Sequence, residues 1–166
     1  MLIEFSGICQ NCRKNVKILT INESCLENCS DCGQPPFIIK KIKGIIYIAK
    51  NENQKGVKIG ITEKSIDARI KQLESTGVPG KFIKIAIFPS DKPKIDEKKV
   101  HTALKKYNLS KEHFELEPIE AVLKTFRALK KKVEPIFFDK NNEAIFNLKN
   151  EEARIQTLLR FHGKTS

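Results

Sequence analysis

Two Cys-x2-Cys pairs, Cys9–Cys12 and Cys29–Cys32, are separated by 16 residues and constrain this chain more than any other feature. All five cysteines fall within the first 32 residues. A segment of about 40 residues buries too little apolar surface to hold itself together, and normally needs a metal or disulfides. An x2 spacing lets a tight knuckle present two sulfurs on one side of the backbone. Two such pairs supply four thiolates to one tetrahedral Zn²⁺. A disulfide framework is the alternative, but it leaves one cysteine over, and MLIEFSGICQ lacks the basic start and apolar run of a secretion signal. The spacing therefore predicts zinc on Cys9, Cys12, Cys29 and Cys32. Cys25-x3-Cys29 is also a usable spacing, and the x2 pairs are the better set. A four-thiolate site is coordinatively closed, so its metal is structural. Gly33 follows the second pair, where a knuckle turn often needs positive φ. Lys17–Ile21 can form the strand of a zinc ribbon.

The chain divides by composition into three regions: a four-cysteine zinc-ribbon module over 1–40, a central domain over 41–132, and a C-terminal hairpin/helix extension over 133–166. Net charge is +11, from 31 basic and 20 acidic residues. Such a balance attracts phosphate backbones. An anionic membrane surface would also attract it, but no run reaches the ~18 apolar residues of a spanning helix. Together with the absent signal, this predicts a cytoplasmic, intracellular chain with no membrane partner.

The central region reads as α+β, with a small three-stranded antiparallel sheet flanked by helices. Gly44–Ala49 and Val57–Ile61 read as strands joined by a polar hairpin link, and Phe82–Phe88 as a third strand. Ser65–Ser75 is a helix with Ile66, Ile70 and Leu73 on one face and Ser65 as cap. Pro93–Tyr107 and Pro118–Lys132 are further helices, each with proline tolerated in its first turn. In the extension, Pro135–Phe138 and Ala144–Leu148 are expected to pair across residues 139–142. Glu151–Phe161 should form a final helix with Ile155, Leu158 and Leu159 as its apolar stripe.

Candidate chemistry lies in the central region. If the hairpin closes with Ala49 opposite Gly56, Tyr47 lies opposite Lys58, and the ammonium lowers the phenol's pKa. Arg69 sits at the border of the first helix's apolar stripe, either snorkelling to solvent or aimed into a site. Glu97 shares a helix face with Val100 and Leu104, with His101 one turn on. A carboxylate on an apolar face costs free energy unless it is paired or binds a metal. This set suits phosphodiester hydrolysis. A carboxylate-held Mg²⁺ or Mn²⁺ stabilises charge on the phosphate or leaving oxygen. An arginine stabilises the charge building on the phosphate, and the tyrosine relays a proton from water.

Gly44-Ile45-Ile46-Tyr47-Ile48, Lys58-Ile59-Gly60-Ile61-Thr62 and Arg69 followed by Leu73 resemble the core of the GIY-YIG nucleases. Glu97-x3-His101 and Lys111-Glu112-His113-Phe114-Glu115 are similar to a phage-associated, DNA-binding branch of that superfamily, related to a meiotically up-regulated group. The resemblance covers about residues 43–126. It implies that Tyr47 is the general base or water-orienting group, and that Lys58 stands where a second tyrosine usually sits. It implies that Arg69 contacts the scissile phosphate, Glu97 binds the catalytic metal and His101 supports. The expectation is a divalent-metal-dependent DNA endonuclease whose zinc module aids substrate binding. The alternatives are a non-catalytic DNA-binding protein on the same fold, or a zinc-ribbon adaptor between proteins.

Overall fold

The computed structural model describes residues 1–22, 24–39, 42–75 and 77–162. The chain forms two compact units, Met1–Lys41 and Ile42–Ser166. The expected junction between residues 40 and 41 lies outside the described residues, as do positions 163–166 of the expected tail.

In the first unit, β1 (Leu2–Ile8), β2 (Asn15–Ile21) and β3 (Ser24–Cys25) form an antiparallel sheet in that order. Its core is small: Val16, Ile18, Cys9 and Cys29 are buried, with Phe37 packed against them. Two matching knuckles grip the cysteines. The Arg13 N–H donates to the Cys9 carbonyl at 2.9 Å, and the Gly33 N–H donates to the Cys29 carbonyl at 2.8 Å. Both residues closing these turns have positive φ, 65° at Arg13 and 68° at Gly33.

The second unit is built on β4 (Gly44–Asn51), which is buried along nearly its whole length. That is why its sequence is a continuous apolar run and not an alternating one. β5 (Val57–Thr62) and β6 (Phe82–Ser90) flank it, both antiparallel. The sheet is larger than the expected three strands. β7 (Asn108–Ser110), β8 (His113–Phe114) and β9 (Ile136–Phe137) extend it to six, in the order β7-β8-β5-β4-β6-β9. These added strands are only two or three residues long, too short to show an alternating pattern.

Helices cover both faces. α1 (Ile66–Ser75) packs Ile66, Ile70 and Leu73 against Ile45, Tyr47 and Ala49. The Ser65 hydroxyl caps it, accepting the Ala68 N–H at 3.3 Å. α2 (Pro93–Ala103) and α3 (Pro118–Ala128) cover the other face, around Ile46, Ile48, Phe88, Val100 and Val122. The expected terminal hairpin does not form. Ile136–Phe137 pairs with β6 instead, and residues 140–162 are one helix, α4 (Lys140–His162). Its Phe146 joins the core through Phe126 and Phe137. No helix among the described residues is long and apolar enough to cross a membrane.

Candidate functional site

The site forms where β5 outruns its outer neighbour. β8 pairs with β5 only at Val57 and Lys58, and the Glu112 carbonyl accepts the next N–H, that of Ile59, at 2.9 Å. Beyond this point α2 supplies the missing partners from its side chains. His101 Nε2 lies 2.9 Å from the Ile59 carbonyl. A carbonyl only accepts, so Nε2 carries the proton there and, in the neutral ring, Nδ1 keeps its lone pair. The Glu97 carboxylate accepts the Ile61 backbone N–H. Val100 and Leu104 anchor α2 in the core, and a helical repeat places Glu97 and His101 at the strand edge.

Tyr47 reaches the same place from the opposite face. It is directly opposite Gly60, and Ala49 is opposite Lys58. The register is therefore two residues away from the expected one. β4 runs on to Asn51, whose Oδ1 accepts the Asn53 N–H at 2.8 Å to start the turn. The turn is wider than a symmetric closure at Gly56 would make it. A Cβ on Gly60 would fall 2.7 Å from Tyr47 Oη and 3.1 Å from Glu112 Oε2. The glycine thus leaves the space that the phenol occupies.

Arg69 is aimed inward. Its Nε donates to Tyr47 Oη at 3.3 Å, and its guanidinium lies 5.8 Å from the ring centroid. Nη1 donates to Gln72 Oε1 at 2.9 Å, which fixes the fork. Lys58 does not stand opposite Tyr47 as expected, but opposite Ala49. Its ammonium pairs with the Glu112 carboxylate at 2.6 Å, with the lysine side chain only 13% exposed.

These environments decide the proton states. Burial pushes the Tyr47 phenol above its ordinary value, and the Arg69 hydrogen bond and charge do not overcome it. The expected lowering is thus reversed, because burial outweighs Arg69, and the Lys58 ammonium is paired with Glu112. Burial likewise pushes the Glu97 carboxyl up, with the Glu112 charge adding to it, while His101 and Arg69 pull the other way. A bound divalent cation would relieve this cost. One carboxylate suffices for Mg²⁺, which keeps most of its waters.

Glu112 is the residue that sequence reasoning left out of the site. The signal was available in the stretch Lys111–Glu115, but nothing in it showed that Glu112 would turn toward Lys58. Tyr47, Arg69, Glu97 and His101 converge at one edge of β5, and Lys58 joins them through Glu112.

The first unit holds a separate cluster. The sulfurs of Cys9, Cys12, Cys29 and Cys32 all lie within 4.8 Å of one another, with Cys9–Cys32 at 3.7 Å and Cys12–Cys29 at 3.6 Å. Tetrahedral Zn–S bonds of about 2.3 Å put sulfurs about 3.8 Å apart, whereas a disulfide needs about 2.05 Å. The donor set therefore fits zinc. Cys25, paired in β3 with Thr20, is not among the four. The backbone N–H of Cys12 lowers the Cys9 thiol to about 7. Cys32, despite the Gln34 N–H, is pushed up to about 12 by burial and its neighbouring sulfurs.

Comparison with protein families matches the T5orf172 domain over residues 44–134. That family is phage-associated and linked to DNA binding. This corrects the assignment to the GIY-YIG nucleases: the family that the match shows is the T5orf172 domain. The residues that depart from the GIY-YIG pattern are Ile45 before Ile46-Tyr47, and Lys58 in place of a tyrosine. No curated protein and no solved structure matches the chain.

Proposed function

The chain belongs to the T5orf172 domain family, and from that premise we propose that it is a divalent-metal-dependent DNA endonuclease. The observation that carries this reading is the convergence of Tyr47, Arg69, Glu97 and His101 at the open edge of β5. Binding alone does not call for a half-buried carboxylate whose ionisation is opposed by burial. Glu97 would hold Mg²⁺ or Mn²⁺, which supplies Lewis-acid stabilisation of charge on the phosphate and leaving oxygen.

The chain's own groups do the rest. Arg69 presents its guanidinium to the phosphate and favours the charge that builds there. Tyr47, kept neutral by burial, orients the attacking water as a hydrogen-bonding phenol and is not a phenolate base. His101, tied to the Ile59 carbonyl, fixes the carbonyl edge of β5. Lys58 and Glu112 hold each other beside the phenol. Zn²⁺ on Cys9, Cys12, Cys29 and Cys32 holds the first unit in a shape that contributes to DNA binding, helped by the +11 net charge.

Supercoiled plasmid incubated with the protein and Mg²⁺ or Mn²⁺ tests this. The expected result is nicking or linearisation that EDTA removes and Glu97→Gln abolishes, with DNA affinity kept because Glu97 serves the metal. Salt-sensitive gel retardation without cleavage would favour the second reading, a DNA-binding protein that does not cut. The pairing of Lys58 with Glu112 favours that reading, since it removes a free cation from the phosphate site.

A further inference from the structure

α4 has two faces, and the core uses only one of them. Phe146 is 2% exposed and packs on Phe126 and Phe137, with ring centroids 5.6 and 5.2 Å away. Asn142, Asn150 and Ala153, on the same side, are half-buried. At about 100° per residue, Leu148, Ile155 and Leu159 fall on the opposite side. They are 63%, 49% and 66% exposed, and Leu158 beside them is 49% exposed. A surface helix ordinarily turns its apolar stripe to its own core. Here the stripe faces outward.

We infer that this outer face of α4 pairs with the same face of a second copy of the chain, with the two helices antiparallel. Charge selects both partner and direction. Glu151 lies on the stripe between Leu148 and Ile155, and Arg154 borders it, 3.7 Å from Glu151 on the same helix. Parallel pairing would stack Glu151 on the partner's Glu151 at the seam. The antiparallel register that sets Leu148 against the partner's Leu158 brings Glu151 beside the partner's Arg154, and does so twice by symmetry. Opposite charges then flank the apolar contacts, as in helix pairs that specify their own register. A lipid surface fits less well, because interfacial helices carry a Lys/Arg-rich polar face. In this half of α4, Glu151 and Glu152 alternate with Lys149, Arg154 and Arg160. The inference does not depend on the DNA reading.

Sedimentation equilibrium of the zinc-loaded full chain tests it. The expected result is a concentration-dependent monomer–dimer equilibrium. Leu148→Glu with Leu158→Glu should weaken it by about tenfold or more, with unchanged far-UV circular dichroism. Glu151→Arg should weaken it as well, and adding Arg154→Glu should restore it. A wild type that stays monomeric, or a dimer indifferent to the leucine changes, overturns the pairing. Failure of the double charge swap to restore association overturns the antiparallel register. A monomer that co-sediments with phosphatidylglycerol vesicles would overturn self-pairing in favour of a lipid surface.

Discussion

Gly60 matters at the candidate site because its missing side chain leaves room for Tyr47. The phenol is buried there, and burial outweighs Arg69 in setting its proton affinity. The chain's other tyrosine, Tyr107, has the opposite environment. Hydrogen bonds from Lys124 and then Lys106 hold its phenol below the usual value. With only two tyrosines, phenolate absorbance should rise in two steps on either side of the ordinary value of about 10. Tyr47→Phe should remove the upper step and Tyr107→Phe the lower. The sign for stability follows. Tyr47 has a folded value above its unfolded one, so its contribution is intact below about pH 10 and is lost as pH rises through the folded value. The residue types of the site, Tyr47, Arg69, Glu97 and His101, were legible from their chemistry and helical spacing. The proton state of Tyr47 was not, because it depends on a register set by the Asn51 turn and on Glu112, 54 positions further along than Lys58.

Helix ends show what was legible at the next scale. The N-termini at Ser65, Pro93 and Pro118 carry cap or proline signals, and all three helices begin within a residue of the expected start. The start of α4 is not legible in the sequence because its signal has two meanings. Asp139 accepts the Asn141 N–H at 3.1 Å, as a cap does, but Asp-Lys-Asn-Asn reads equally well as a turn. The decision belongs to Phe146, which reaches the core only if the segment is helical. α3 ends at Ala128, short of the expected Lys132, for a related reason. Lysines suit a helix end, yet here the helix has already stopped. The Lys131 N–H donates to the Phe126 carbonyl and the Lys130 N–H to Arg127, both at 2.9 Å. This is a Schellman closure, with Lys130 at φ 58° where glycine is usual. Lys130→Gly should therefore stabilise the domain by about 0.5–1 kcal/mol, as relief of left-handed strain outweighs the added chain entropy. Urea denaturation measures it, with the midpoint rising at constant slope.

The whole molecule has two separate cores, one of them too small to stand on burial alone. The first unit rests on Cys9, Cys29, Val16 and Ile18, whereas the second has a sheet covered by helices on both faces. The contrast was legible in the sequence as the crowding of every cysteine into one end. Its consequence is that the two units should fail separately. Binding of zinc to so small a unit is coupled to its folding, while nothing in the second core uses a thiol. A strong chelator, or Cys32→Ser, should release one zinc per chain and collapse the amide NMR dispersion of the first unit. The resonances of residues in β4, β5 and α2 should stay in place. Loss of dispersion throughout the chain would mean that the second core depends on the first. Retention of zinc by Cys32→Ser would mean that Cys25 or another donor takes the fourth position. If the zinc-free protein also loses DNA affinity while its second unit remains folded, the first unit contributes directly to substrate binding. That outcome would separate its role from the chemistry placed at the edge of β5.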